Sequence, residues 1–373
     1  MTTKRLGLYV HIPFCVKKCN YCDFCSFNLS GVDWREAYID RLIEEIDSYR
    51  DRALEVDSVF FGGGTPTLLR PSELERIVDH IKESFVLSSD SEFTVESNPK
   101  TLDREKLELF RKIGVNRLSM GLQSIHENEL KILGRIHSYE DFVDSYRLAR
   151  ECGIQNVNID VMYGIPEQTI ESFGKTLDAV LELKPDHVSV YGLILEEGTP
   201  FFEKKNELPL PSEDGECDMY YLAADRFRRA GYSHYEISNY ALPGFECRHN
   251  LKYWRCEEYI GVGLSAYSYF MGERFGNIDI PSEYLSSDCV KYNQIEAVDA
   301  KAASYEYVML RLRLKEGFSL SEYKSAFGFD FCKGRQALLS RLQEAGYISL
   351  TDDRISLTEQ GFYISNSILT ELI

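Results

Sequence analysis

The stretch that decides the fold is LGLYVHIPFCVKKCNYC (6–22), in which an apolar run leads directly into three closely spaced cysteines. Its first part, 6–12, is rich in β-branched, aromatic and aliphatic residues, which predicts a β-strand. Cys15, Cys19 and Cys22 then follow in a short loop. If this strand belongs to a parallel sheet, the loop lies at the carboxyl end of the strand, where α/β proteins carry their functional groups.

The same rhythm of a short apolar run and a longer amphipathic stretch continues to about residue 195. Further strands are predicted at 58–63, 92–98, 117–124, 157–164 and 187–194, with helices near 33–50, 71–84, 101–113, 139–152 and 170–183. Strands that alternate with helices are typical of a parallel sheet. The predicted fold class is therefore α/β, a partial (β/α)6 TIM-like barrel whose chemistry lies at the carboxyl ends of its strands.

Composition divides the chain into three predicted segments. Residues 1–215 form the barrel with its N-terminal cysteine loop, and the segment ends in a connector rich in Pro, Gly and charge, EEGTPFFEKKNELPLPSEDG (196–215). Residues 216–298 form a β-rich and helical extension. Residues 299–373 form a small helical C-terminal domain, in which helices and the paired strands YISL and RISL resemble a winged helix.

The charge of the chain excludes several classes of partner. A net charge of −18 disfavours nucleic acid and anionic membrane surfaces. The C-terminal domain has nine Lys and Arg against ten Asp and Glu, so it lacks the basic stripe that a DNA-binding regulator with an iron–sulfur sensor needs. No apolar run is long enough for a transmembrane segment, and the N-terminus lacks the features of a signal peptide. We expect a cytoplasmic protein.

The cysteine spacing C-x3-C-x2-C offers three thiolates to one inorganic centre. Structural zinc requires four ligands, whereas a [4Fe–4S] cluster held by three thiolates keeps one iron open to a small molecule. The spacing therefore favours an open cluster on Cys15, Cys19 and Cys22. Cys25 could supply a fourth ligand, so structural zinc, a fully ligated cluster and reactive thiols remain as alternatives.

The cysteine motif and its setting resemble the radical S-adenosylmethionine superfamily, in the branch of the oxygen-independent coproporphyrinogen III oxidases and their relatives. The setting consists of YVHIPF (9–14), GGGTP (62–66), ESNP (96–99) and NIDVMYGIP (158–166), and the resemblance covers nearly the entire chain. It implies a [4Fe–4S] cluster on the three cysteines and S-adenosylmethionine on its open iron.

The resemblance also implies which side chains hold S-adenosylmethionine. Glycines at a strand exit let backbone groups approach a ligand closely, carboxylates and amides accept from hydroxyls, and arginine donates to a carboxylate. The positions that match the family are Tyr9, Tyr21, Gly63, Gly64, Thr65, Glu96, Gln123, Arg135 and Asp160.

A second motif, HNLKYW (249–254), resembles the characteristic sequence motif of the HemW-type haem chaperones. An imidazole is a good axial ligand for haem iron, and Tyr and Trp rings offer flat faces to a porphyrin. The resemblance implies haem binding by His249, Tyr253 and Trp254, on a predicted loop or sheet edge. The alternative is that His249 is a buried core histidine whose ring nitrogens have hydrogen-bond partners within the protein. Tyr267 stands where many such chaperones have a histidine, so a second axial ligand stays open.

Two departures separate the chain from the oxidases. Those enzymes carry an extended N-terminal segment and a further cysteine two residues after the third, where this chain has Phe24. The expected function is a haem chaperone that delivers haem to an acceptor haemoprotein, such as a membrane-associated respiratory cytochrome. The alternative is radical oxidative decarboxylation of coproporphyrinogen III, or another radical reaction on a tetrapyrrole. Whether the protein is an enzyme stays open, but oxidase activity is not expected.

Overall fold

Six parallel strands form the centre of the fold in the computed structural model, which describes residues 5–286 and 292–373. They are β1 (Leu6–Ile12), β2 (Glu55–Gly63), β3 (Val86–Ser97), β4 (Arg117–Gln123), β5 (Asn156–Tyr163) and β6 (His187–Gly192). The helices between them are α1 (Arg35–Asp47), α2 (Pro71–Ser84), α3 (Arg104–Ile113), α4 (Glu127–Leu133), α5 (Tyr139–Glu151) and α6 (Ile170–Leu183). The predicted partial (β/α)6 barrel is confirmed, and only α4 was not predicted.

The six strands lie in sequence order within a larger sheet. On the β6 side, β8 (Asn239–Ala241) and β7 (Ser233–Glu236) follow, and on the β1 side β9 (Tyr259–Val262), β10 (Tyr267–Phe270), β11 (Glu273–Asn277) and β12 (Tyr292–Ala297). Among the described residues β7 and β12 are the two outer strands, so the barrel is open. The strands on both sides of residue 215 share this sheet, and the segment 216–298 therefore extends the barrel.

Alternation along the strands separates two environments. In β1 the side chains of Leu6, Leu8, Val10 and Ile12 are buried in the apolar core between strands and helices. The intervening residues of a strand point to the opposite face, here the interior of the barrel. There a Cβ added to Gly7 would meet His249 at 3.2 Å. The interior is polar, and it contains the buried side chains of Ser58, Glu92, Arg117, Asn158 and His187.

The segment between the barrel and the C-terminal domain contributes the remaining helices, α7 (Pro200–Glu203), α8 (Glu213–Arg229), α9 (Arg248–Trp254) and α10 (Pro281–Leu285). Helix α8 packs against α6 and β5. Helix α9 lies across the amino ends of the first strands, because the side chain of Lys252 bonds the Arg5 carbonyl at 3.0 Å and pairs with Asp57 at 2.8 Å. It therefore closes the end of the barrel opposite the cysteine loop.

The C-terminal domain has a core of its own. It comprises α11 (Ala300–Arg311), β13 (Phe318–Ser319), α12 (Leu320–Phe327), α13 (Gln336–Glu344), β14 (Ile348–Leu350), β15 (Arg354–Leu357), α14 (Glu359–Tyr363) and α15 (Ser365–Leu372). The three strands form one small sheet in the order β13-β15-β14. The sequence predicts one last helix over 358–372, which the structure divides at Ile364 into α14 and α15, and it does not predict α12. Within the described ranges no helix combines the length and apolarity needed to cross a bilayer.

Candidate functional site

The cysteine loop is fastened to the carboxyl ends of β1 and β2. The Gly64 N–H donates to the Ile12 carbonyl at 2.8 Å, and the Thr65 N–H donates to the Phe14 carbonyl at 2.7 Å. His11 secures the far side of the loop, because its Nε2 lies 2.8 Å from the Cys25 carbonyl. That nitrogen must donate, so the neutral ring accepts at Nδ1, 3.1 Å from the Tyr9 hydroxyl.

A cavity of about 460 Å³ opens beside this loop at the carboxyl ends of the strands. Its walls contain the three cysteines and every position predicted to hold S-adenosylmethionine except Tyr9: Cys15, Cys19, Cys22, Tyr21, Gly63, Gly64, Thr65, Glu96, Gln123, Arg135 and Asp160. Tyr9 lies beneath Gly62, whose added Cβ would be 3.0 Å from the Tyr9 ring and 3.1 Å from the Glu96 carboxylate. The structure thus brings predicted residues from the ends of five strands, β1 to β5, into one site.

The three cysteines of the motif differ from Cys25 in their surroundings. The Cys15 thiol lies 3.7 Å from the Thr65 hydroxyl, and the Cys19 thiol lies 3.7 Å from the Arg135 guanidinium. Cys25 is absent from the described cavity walls, and its thiol instead lies 3.8 Å from the Asp279 carbonyl. The geometry therefore separates one cysteine from the other three.

The donors of the cysteine loop are three thiols, which are the ligands that an iron–sulfur cluster takes. Among the described residues no three His, Cys, Asp or Glu side chains converge closely enough to bind one metal ion. In a [4Fe–4S] cluster each thiolate binds a different iron, so its ligands stand farther apart than those of one ion. Burial raises the pKa of the Cys22 thiol to about 11, which leaves it protonated until a metal displaces the proton.

Arg135 is held rigidly at the wall of the cavity. Its guanidinium donates to the Asn98 side-chain oxygen and to the Gly121 carbonyl, both at 2.6 Å. Asn98 in turn donates to the Thr65 hydroxyl at 2.7 Å. A Cβ at Gly121 would lie 2.7 Å from a guanidinium nitrogen, so a larger residue at this position would displace Arg135. These contacts fix a positive charge beside Cys19 without neutralising it.

Two carboxyl groups, those of Glu96 and Asp160, line the cavity. Burial and the nearby charge of Asp160 raise the pKa of Glu96 to about 8, against the donation from the Gly63 N–H at 3.2 Å. Burial also raises the pKa of Asp160, although Asn158 donates to its carboxylate at 2.7 Å. Near neutral pH, Glu96 is therefore mostly protonated, and its carboxyl group can both donate and accept hydrogen bonds.

Gln123 occupies a strained position at the end of β4. Its φ of +70° lies in the left-handed region, which is unusual for a residue other than glycine. The strand register shifts at this point, and the Tyr191 hydroxyl donates to the Gln123 side-chain oxygen at 2.8 Å. Strain of this kind is concentrated at functional sites.

Sequence reasoning missed several residues of the cavity wall. Asn98, Ser119, Ser189, Tyr191 and Asn239 all line it. Asn98 was within reach of prediction, since it belongs to the ESNP motif at the end of β3. Tyr191 lies at the end of β6, and a polar residue at a strand end is the signal by which it could have been predicted.

The HNLKYW motif lies on helix α9, not on the predicted loop or sheet edge. The Glu92 carboxylate accepts from the first N–H groups of the helix, those of Arg248 at 3.0 Å and His249 at 3.1 Å. His249 is 1% exposed, with Nδ1 at 3.0 Å from the Ser58 hydroxyl and Nε2 at 2.7 Å from the Tyr253 hydroxyl. Both ring nitrogens have hydrogen-bond partners inside the barrel, so His249 could bind haem iron only after one of these bonds is broken.

The other aromatic residues of the motif differ in accessibility. The Tyr253 hydroxyl is hydrogen-bonded to His249, and the Tyr253 ring packs edge-on against the Tyr259 ring, with 4.5 Å between centroids. Trp254 is partly exposed, and its indole nitrogen has no hydrogen-bond partner among the described residues. Tyr267, which lies outside the motif, is 53% exposed. The motif is therefore divided between a buried part and a part that faces outward.

The comparisons with known proteins agree with the fold and the cavity. A model described as "Radical SAM superfamily" matches residues 9–180, and one described as "HemN C-terminal domain" matches residues 298–364. The solved structure of coproporphyrinogen III oxidase (HemN) from Escherichia coli has a TM-score of 0.86 at 25% identity and covers 99% of this chain and 90% of that one. The barrel with its cysteine loop thus defines a radical S-adenosylmethionine protein.

Curated relatives specify the family further. The protein named "Heme chaperone HemW" from Lactococcus lactis subsp. lactis is 36% identical and covers 100% of this chain and 98% of its own length. Those from Bacillus subtilis and Escherichia coli, with the same name, are 35% and 34% identical and cover 96% and 98% of this chain and 97% of each relative. This chain belongs to the HemW family.

Proposed function

We propose that this protein binds haem and delivers it to an acceptor haemoprotein. The observation that carries the proposal is the alignment with relatives named heme chaperones over nearly the whole of both chains. The oxidase structure has the same fold but only 25% identity. We therefore prefer a chaperone to the alternative of a coproporphyrinogen III oxidase.

The cavity is proposed to hold the two cofactors that the radical S-adenosylmethionine family implies. Cys15, Cys19 and Cys22 would hold a [4Fe–4S] cluster, and the remaining wall would hold S-adenosylmethionine. When bound, the cluster supplies an open iron and one-electron redox chemistry. The protein supplies orientation and the exclusion of water.

Individual wall residues suit different parts of S-adenosylmethionine. The fixed guanidinium of Arg135 suits a carboxylate, since its planar group donates in a set geometry. Glu96 and Asp160 suit hydroxyl groups, because each carboxyl group faces the cavity with lone pairs to spare. Gly63 and Gly64 bring backbone groups close to the ligand.

Haem contact is proposed at the outward-facing part of the HNLKYW motif. Trp254 offers a partly exposed flat ring. Aromatic faces stack on flat apolar rings such as a porphyrin. We do not assign His249 as an axial ligand, because both of its nitrogens are bonded.

The setting of this function is also a proposal. The cysteine loop carries free thiols, which persist in a reducing compartment such as the cytoplasm. The acceptor would be a haemoprotein such as a membrane-associated respiratory cytochrome, to which haem passes during a transient contact.

Haem titration and transfer test the proposal. We expect a Soret band that saturates at about one equivalent of haem, since one site holds one porphyrin, and loss of that band when an apo-haemoprotein is added. Trp254→Ala should weaken haem binding, whereas His249→Gln should leave the position of the band unchanged. A folded wild-type protein that fails to bind haem would contradict the proposal. A band that shifts in His249→Gln would show that the imidazole reaches the iron.

A further inference from the structure

A chain of hydrogen bonds runs through the interior of the barrel and ends on Asp160. The Cys247 N–H lies 3.1 Å from the Tyr235 hydroxyl oxygen, and that hydroxyl lies 2.8 Å from His187 Nε2. His187 Nδ1 lies 2.6 Å from the Asn158 side-chain oxygen, and the Asn158 amide nitrogen lies 2.7 Å from Asp160. His187 and Asn158 are 0% and 1% exposed. The middle of this series of hydrogen bonds is thus sealed from solvent.

The direction of every bond follows from the Asn158 amide. Its nitrogen also donates to the Ser119 hydroxyl at 2.7 Å, and its oxygen also accepts from the Ser189 hydroxyl at 3.2 Å. The amide is therefore fully satisfied in one orientation, with the nitrogen toward Asp160. His187 must then donate from Nδ1, and because burial lowers its pKa and keeps it neutral, Nε2 accepts from Tyr235.

We propose that Tyr235, His187 and Asn158 are positioning residues that orient the Asp160 carboxylate for S-adenosylmethionine. The inference rests on the proposed function, in which Asp160 contacts that cofactor. None of the three is a predicted contact, although Ser119 and Ser189 beside them line the cavity. A carboxylate fixed by a buried donor presents its lone pairs in one direction, which lowers the cost of ordering it when the ligand binds.

The far end of the chain lies on the motif helix. Cys247 is the N-cap of α9, and the Glu92 carboxylate that holds the N-terminus of α9 lies near Cys247 as well, 3.6 Å from its thiol. The segment that carries HNLKYW is therefore connected to the cofactor cavity through groups with only one bonding arrangement. A displacement of α9 would disturb Asp160, and by reciprocity S-adenosylmethionine would change the free energy of that displacement.

The test compares two buried tyrosines, of which only Tyr235 belongs to this series of hydrogen bonds. Tyr235→Phe deletes the hydroxyl of the chain, and Tyr232→Phe deletes a buried hydroxyl that bonds the Pro185 carbonyl instead. Anaerobically reconstituted proteins, matched in iron content and circular dichroism, are titrated with S-adenosylmethionine while the electron paramagnetic resonance spectrum of the cluster is recorded. We expect the dissociation constant to rise about threefold in Tyr235→Phe and to stay unchanged in Tyr232→Phe.

Histidine variants provide the sharper measurement. His187→Leu removes both bonds and should raise the dissociation constant about tenfold. His187→Asn keeps a donor toward Asn158 and should recover most of the affinity, which a role in packing alone would not allow. Wild-type binding by Tyr235→Phe and by a folded His187→Leu overturns this inference alone. A wild-type protein that does not bind S-adenosylmethionine overturns the proposed cofactor site, and this inference with it.

Discussion

The substitution Gly64→Ala tests whether the GGGTP turn determines the position of the cysteine loop. An added Cβ would lie 2.6 Å from the Phe14 carbonyl oxygen, 2.9 Å from the Ile12 carbonyl oxygen and 2.9 Å from the Phe14 nitrogen. All three are backbone atoms, so no side chain can rotate away. Real Cβ contacts stay beyond 3.0 Å, so the segment that leads from β1 to Cys15 must move by about 0.4 Å or more. Overpacking of this kind costs about 1–3 kcal/mol.

We therefore expect Gly64→Ala to lose cluster binding while the barrel stays folded. Iron content and absorbance after anaerobic reconstitution measure the cluster, and thermal unfolding measures the barrel. Gly31→Ala is the matched control, because nothing lies within 4 Å of a Cβ at that position. Full iron content in Gly64→Ala, with an S-adenosylmethionine affinity equal to that of wild type, would refute the reasoning.

Three further results are expected. Folding raises the pKa of Glu96 from 4.5 to about 8, so the wild-type protein loses stability as the pH rises through this range. The free energy of unfolding of Glu96→Gln should exceed that of wild type by about 2–3 kcal/mol at pH 8.5 and by little at pH 4.5, after allowance for solvent in the cavity. Urea unfolding at both pH values measures this, and equal differences would contradict it. Cys25→Ala should retain the iron that Cys22→Ala loses, as iron analysis will show. Coproporphyrinogen III, incubated with the protein, a reductant and S-adenosylmethionine, should remain unconverted, as chromatography of the products will show. Formation of protoporphyrinogen would favour the oxidase alternative.

Local patterns were sufficient for the barrel because its strands are buried between helices and its turns carry strong signals. The Cys15 loop and the Asp160 strand end were located from the sequence, since the carboxyl ends of parallel strands meet in space. Helix α4 was missed because it spans only Glu127–Leu133 and depends on distant partners. Its Glu129 is held by Ser172 and Gln168, which are remote in sequence.

The HNLKYW motif shows the limit of sequence reasoning more clearly. Its residues suit haem chemically, but whether His249 is free depends on Ser58 and on Glu92, which lie far away in the chain and come close only in the fold. The chain of bonds from Tyr235 to Asp160 was invisible for the same reason. Each member is an ordinary polar residue until the strands bring it beside the next.

Helix α9 closes one end of the barrel, and this limits the routes by which a ligand can reach the interior. Arg117, Cys247 and His249 fill the amino end of the barrel and are at most 2% exposed, so nothing passes there. Within the part of the protein that the structure describes, the cavity lies at the other end, beside the cysteine loop, and the wall residues Val16 and Ile136 are 49% and 58% exposed. A ligand of the cavity would therefore enter and leave beside the cysteine loop, and the end of the barrel that α9 closes would offer it no second path.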